Sequence, residues 1–268
     1  MQTSIEKLFT KEYIEYRAVL PFSEVVTTKT HLLDGLGFVP KSVLLFLLPY
    51  YTGETENLSR YAASLDYHLG IAQIGGRLTA GLESLFPGAH FSVFGDHSPL
   101  DERRAALTAG LGIAGDNGLL INEKYGSYVF IADILTDVAP EELGLTPTVE
   151  IRSCENCGAC KVHCPTGILR GEGADCLSAI TQRKGTLTED EVALMKAYRT
   201  VWGCDECQCH CPHNRHPEKT PIPFFYQERL PALSRPVLDA MDDEAFARRA
   251  FAWRGRAVVE RNVKILEE

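Results

Sequence analysis

No cysteine of this 268-residue chain precedes Cys154, and all nine fall between there and Cys211. The chain is long enough to bury a core without covalent staples. No signal-peptide layout opens it, and its longest clean apolar run, SVLLFLLP at 42–49, is far short of the roughly 20 residues that a spanning helix needs. The expected address is therefore the cytoplasm, with no membrane partner. Thiols stay reduced there, so nine crowded cysteines point to metal ligation rather than to disulfides.

Their spacing names the metal group. CENCGACKVHCP sets Cys154, Cys157, Cys160 and Cys164 in the pattern C-x2-C-x2-C-x3-C-P. Three thiolates from one tight loop can each reach a different iron of a [4Fe–4S] cubane, and the fourth, carried away by the proline, serves a second cluster. Downstream, GCDECQCHCP supplies Cys204, Cys207 and Cys211, with Cys176 as a separate ligand upstream. Exchanging the fourth ligands assigns Cys154, Cys157, Cys160 and Cys211 to one cluster and Cys164, Cys176, Cys204 and Cys207 to the other. Cys209 is left over. Structural zinc, with His163, His210, His213 or His216 completing the sites, is the competing reading. Two successive x2 gaps followed by Cys-Pro weigh against it, and the histidines are expected outside the ligand set.

Two clusters need far fewer residues than are present, which places other chemistry before them. The expected class is α+β. An α/β sandwich spans 1–140, a ferredoxin-like domain with two [4Fe–4S] clusters spans 150–220, and a helical extension over 221–268 packs back on the core. The apolar runs at 42–50 and 127–136 read as buried strands, and 139–153, with its prolines and little periodicity, reads as a connector. Leu58, Tyr61, Ala62, Leu65, Leu69 and Ala72 recur at helical spacing, predicting an amphipathic helix over 57–73. A further helix is predicted to start at a Ser98 cap with Pro99 in its first turn and Asp101 completing a capping box; Gly110 marks its end. Asp96 then sits just before a helix N-terminus. No G-x-G-x-x-G follows a strand and there is no P-loop, so a nucleotide site of the usual kind is not supported. The net charge of −9 resides in the first 150 residues, which hold 19 Asp/Glu against 10 Lys/Arg. That balance weighs against a nucleic-acid surface there. The basic stretch is Arg248, Arg249, Arg254, Arg256 and Arg261, read equally as a solvated helix face or a binding surface.

YAASLDYH (61–68), GDHSPLDERRAALTAGLGIAGDNGLLI (95–121), GSYVFIADILTD (126–137), the first cysteine motif and GCDECQCHCPHN (203–214) together resemble the epoxyqueuosine reductases, more distantly the reductive dehalogenases. The likeness keeps its order from about residue 42 to RGRAVVERN at 254–262. It implies a cobalamin held between the N-terminal and cluster domains, and electrons that pass from an external low-potential donor of the flavodoxin or ferredoxin type through the clusters to cobalt. It also implies Asp96 as proton donor, with Tyr67, His68 and Arg103 near the cofactor, in a monomer. As a helix N-terminus favours the carboxylate anion, burial against the corrin would have to keep Asp96 protonated.

The sequence departs from the family pattern where Gly-Arg becomes Ser64 and Leu65, where Gly-Lys-Asn becomes Gly115, Asp116 and Asn117, and where His213 replaces a tryptophan. The first two of these changes lose a positive charge, and together they bear on tRNA as substrate more than on cobalamin. A related smaller substrate is carried beside tRNA. The alternatives from other classes are a ferredoxin-type electron carrier and a partner protein that reduces a corrinoid without a substrate of its own.

Overall fold

The computed structural model describes residues 2–268, which divide into two compact units built from interleaved stretches of chain. The first comprises Met1–Tyr50, Gly70–Asn156 and Thr220–Ile222; the second comprises Tyr51–Leu69, Cys157–Lys219 and Pro223–Glu268.

In the first unit α1 (Gln2–Lys11) precedes β1 (Arg17–Pro21) and β2 (Ser42–Pro49). Helix α2 (Tyr67–Leu85) belongs here from Gly70 onward, followed by β3 (Phe91–Gly95), α3 (Glu102–Thr108), the two-residue strands β4 (Ile113–Ala114) and β5 (Leu120–Ile121), β6 (Val129–Thr136) and α4 (Pro140–Leu143). The main sheet is antiparallel throughout, in the order β1-β2-β6-β3. Its central strand β2 is buried at all eight positions, which is why the sequence there is an unbroken apolar run rather than an alternation. One face packs Val43, Leu45, Leu47 and Leu135 against Ala105, Ala106 and Leu107 of α3. On α2, Gly75 marks a close crossing over β3, where an added Cβ would meet Val93 Cγ1 at 2.5 Å.

The expected strands at 42–50 and 127–136 stand, with β6 starting two residues later than read. The helix expected at Ser98 starts instead at Glu102. Asp101 is its cap, accepting the Arg104 N–H at 2.9 Å. Residues 98–101 are taken by an extended segment: Pro99 O accepts the Thr28 and Lys29 N–H groups, and the Asp101 N–H donates to Val26 O. The Ser98 hydroxyl accepts the Leu100 N–H at 3.1 Å, a local turn rather than a helix cap. The 139–153 segment is fastened to its own unit by Thr146 N–H to Val19 O, Val149 N–H to Thr108 O and an Ala114–Ser153 bridge.

The second unit is helical, with α5 (Ala159–Val162), α6 (Leu177–Gln182), α7 (Glu189–Ala197), α8 (Glu206–Cys209), α9 (Arg235–Asp239), α10 (Asp243–Ala247) and α11 (Arg256–Glu267). The helix expected over 57–73 begins only at Tyr67; before it stands one 3-10 turn, Arg60–Ala62. Tertiary partners compete for that backbone: Ser59 N–H donates to Trp202 O at 2.7 Å, and Arg60 N–H donates to Asp205 Oδ2, also at 2.7 Å. Leu58, Ala62 and Leu65 are buried all the same. Trp202, fully buried, donates its indole N–H to Tyr61 Oη at 2.8 Å. In α11 the buried Asn262 donates to Thr181 O at 2.7 Å and Val201 O at 2.8 Å. Among the described residues no helix is long and apolar enough to cross a membrane.

Candidate functional site

Local backbone chemistry prepares the thiols. Gly158 in the left-handed region (φ 76°) turns the chain into α5, so that Cys160 and, after its last turn, Cys164 are buried. Burial pushes the Cys164 thiol up, but the N–H groups of Leu169, Thr166 and Gly167 and the Thr166 hydroxyl outweigh it and leave it below the ordinary thiol range. Amide donors aimed at sulfur are the surroundings an iron-bound thiolate requires. Burial pushes the Cys204 thiol upward, opposed by the Glu206 N–H and reinforced by the neighbouring Cys176 and Cys207 thiols. Cys176, Cys204 and Cys207 therefore share one neighbourhood in the second unit, although Cys176 lies far upstream. In the first unit Cys154 Sγ accepts the Asp116 N–H at 3.4 Å. That contact is made by main chain, so an aspartate there serves as well as a lysine. All nine cysteines are free thiols, which suits ligation.

Cys209 acquires a partner that the sequence did not suggest. Arg60 Nη1 donates to Cys209 Sγ at 2.9 Å and to Asp205 Oδ2 at 3.2 Å, while Ser59 Oγ donates to Asp205 Oδ1 at 2.5 Å. An arginine and a serine of the 51–69 stretch thus brace the second cysteine motif through its own Asp205. His163 and His210 stack at 3.6 Å between ring centroids, both exposed. His216 is also exposed and His213 half-buried.

The proposed acid lies in the first unit. Asp96 follows β3 in an exposed loop at φ 63°, a left-handed conformation that few residues other than glycine adopt. It stands six positions before α3, so the helix end acts on Asp101 and not on Asp96. Its N–H donates to Glu102 Oε1 at 3.1 Å, and Lys29 Nζ donates to its carbonyl at 3.3 Å. Arg103 is exposed on the first turn of α3. In the second unit Tyr67 and His68 stack at 4.2 Å, and His68 Nδ1 lies 2.9 Å from Asp66 Oδ1.

Sequence reasoning missed two carboxyls near Asp96. Asp133 on β6 is fully buried, and neither of its oxygens completes a hydrogen bond, the Ser98 hydroxyl being the one donor near enough to act on it. It faces Leu45 and Phe94 across the sheet, on the α3 side. Burial pushes it up to about 7 against the pull of the Ser98 hydroxyl. Glu102 goes up to about 8, through burial first and then the charge of Asp133. The one available signal was an acid at an inward position of the apolar run VFIADILT.

The basic stretch is mostly structural. Arg249 is buried and donates to Glu228 O at 2.7 Å, Arg256 donates to Met241 O at 2.8 Å, and Arg261 donates to Arg183 O at 2.7 Å. Arg254 lies over the exposed Trp253 ring at 3.7 Å.

Residues 153–214 match the family described as a 4Fe-4S double cluster binding domain. The epoxyqueuosine reductase of Lactococcus garvieae is 32% identical over 220 residues, covering 77% of this chain and 60% of that protein. Its Listeria monocytogenes counterpart is 32% identical over 218 residues, covering 78% and 56%. The chain thus spans somewhat over half the length of these relatives. The fold of the Streptococcus thermophilus epoxyqueuosine reductase superposes over 99% of this chain and 80% of that one, with a TM-score of 0.78 at 23% identity. Similar fits, each with a TM-score of 0.77, are found with an epoxyqueuosine reductase solved with an epoxyqueuosine-modified tRNA stem loop (23% identity, 97% and 80% covered) and with the Bacillus subtilis enzyme (22%, 98% and 80%). Over three quarters of its length this chain is similar in sequence to the epoxyqueuosine reductases, and it shares their fold and carries a double-cluster segment.

Proposed function

We propose that the chain is a cobalamin- and iron–sulfur-dependent reductase that converts epoxyqueuosine in tRNA, or a related small epoxide, to the corresponding alkene. The observation that carries this reading is the cysteine neighbourhood, in which Cys176 and Cys207 lie within electrostatic reach of Cys204 and Cys164 is served by amide donors. The proposed ligand sets are Cys154, Cys157, Cys160 and Cys211 for one cluster, and Cys164, Cys176, Cys204 and Cys207 for the other. Removing an epoxide oxygen as water consumes two electrons and two protons. Clusters that pass one electron at a time suit an external low-potential donor of the flavodoxin or ferredoxin type.

The residues available suit a corrin in kind. A stack of the half-buried Tyr67 and the exposed His68 offers an aromatic surface with a ring nitrogen at its edge, and Arg103 is an exposed cation for a polar periphery. Bound cobalamin would supply a cobalt centre that changes oxidation state, which no side chain can do. The side chains would do the rest. His68 is oriented by Asp66 through its Nδ1, which leaves Nε2 as the ring nitrogen for a ligand or a proton. Asp96 would donate a proton from its carboxyl to the departing oxygen, from a loop whose main chain is pinned at both N–H and C=O. The Bacillus subtilis structure is described with a catalytic aspartate loop swung out of its active site, which supports an acid on a movable loop.

Anaerobic reconstitution with iron, sulfide and cobalamin tests the proposal, followed by gel filtration, iron assay and a visible spectrum. About eight irons and one retained cobalamin per chain are expected, with turnover of an epoxyqueuosine-bearing anticodon stem loop. Eight irons without cobalamin would leave an electron carrier. Cobalt reduction without turnover would leave a corrinoid-reducing partner protein.

A further inference from the structure

Beneath the Asp96 loop lies an arrangement of carboxyls that the proposed reaction does not itself require. Glu102 Oε1 accepts the Asp96 N–H at 3.1 Å, from the first turn of α3. Acting on Glu102 is Asp133, on the middle of β6, fully buried and with neither oxygen in a complete hydrogen bond. A buried acid that serves only the fold would be expected to be fully hydrogen-bonded, since an unpaired polar group in the core is costly. Asp133 has only the pull of the Ser98 hydroxyl, and its charge acts on the residue that grips Asp96. Asp96 in turn holds a left-handed backbone that a non-glycine residue keeps only when its surroundings fix it.

We propose that Glu102 is the positioning residue for Asp96: its carboxyl, backed by the buried Asp133, is a latch whose charge decides whether the Asp96 loop is held or released. This rests on the reading of Asp96 as proton donor. As an anion, Glu102 makes a charge-assisted bond to the Asp96 N–H, roughly twice as strong as the bond to a neutral acid. Two carboxyls within electrostatic reach of each other do not both ionise readily, so the pair keeps a proton to higher pH than either would alone. The groups facing Glu102 are Asp133 from β6, Asp96 from the loop after β3, and Lys29 from the 26–29 segment, whose ammonium also lies 3.5 Å from His97 Nδ1. Burial and the charge of Asp133 dominate over Lys29, so the latch titrates near neutral pH rather than in the ordinary carboxylate range.

The test uses the full reconstituted chain and two readouts. In the first, the Asp96 amide proton is followed by NMR from pH 5 to 9. The wild type is expected to show a downfield shift as Glu102 ionises near neutrality. Asp133→Asn should move that midpoint down by a unit or more. Glu102→Gln, which keeps a carbonyl acceptor, should hold the amide without titration, and Glu102→Ala should release it. An Asp96 amide that ignores pH, or that titrates identically in Glu102→Gln, would overturn the latch. In the second readout, turnover of the modified stem loop is measured against pH. Glu102→Gln should lower kcat several-fold with KM unchanged and flatten the neutral limb of the pH profile. Titration as expected with no turnover by any variant or by the wild type would keep the latch and remove the reductase reading. Turnover with an unaltered pH profile in Glu102→Gln would remove the latch and keep the reductase.

Discussion

The two units are stabilised by different means. The first is built on a four-stranded sheet whose central strand is buried along its whole length, and its cohesion comes from apolar area between strands and helices. In the second unit no strand is assigned, α5 and α8 have four residues each, and its largest apolar cluster gathers around Trp202 and Phe251 rather than around the cysteines. Near the thiols, order rests on polar ties: Arg60 to Asp205, and amides to Cys164. A chain segment of that kind draws stability from what its thiolates bind, whereas the sheet does not.

The difference is sharpest when iron is withdrawn. Chelation of the reconstituted protein should abolish amide-exchange protection around α5 and α8 while β2 and β6 keep theirs; equal loss in both would break the comparison. Cys204→Ser should remove one cluster, about four irons, and leave the far-UV signature of the sheet intact. A narrower effect is expected from Asp96→Asn, which should cut turnover roughly 10²-fold or more, as removal of a general acid does, without changing iron content. The buried carboxyls give the first unit its own pH signature. An acid raised from an ordinary value near 4 to about 7 keeps its proton in the folded state while the unfolded chain loses it. Stability should therefore fall as pH rises from about 4 to about 7 and level off above, because each pKa unit corresponds to about 1.4 kcal/mol. Asp133→Asn should flatten that slope in thermal melts, and a wild-type slope of opposite sign would refute the assignment. The smallest effect concerns α7. Thr188 accepts the Glu191 N–H while Glu191 accepts the Thr188 N–H, so Thr188→Ala should cost about 1 kcal/mol in denaturant melts.

What could be read beforehand follows the same division. Buried strands announce themselves by apolar runs, and β2 and β6 were legible to within two residues. Cysteine spacing was equally legible, because the geometry of a cubane is written into short gaps. The start of α2 was not. The 57–66 stretch has the apolar repeat of a helix, but its amides are claimed by Trp202 and Asp205, more than a hundred positions away. Ser98 had the composition of a cap and lost the role because 98–101 is bonded to the 26–29 segment. Asp133 escaped notice because apolar periodicity registers the neighbours of a buried acid and not the acid.

Asn262 carries a consequence for how the molecule is made. Its side chain closes on the carbonyls of Thr181 and Val201, which bracket the approach to the second cysteine motif. A ribosome delivers that asparagine some fifty residues after Cys211. Until it emerges, the stretch between Cys176 and Cys204 lacks that clasp, so these two proposed ligands are tied together only once the last helix has been made.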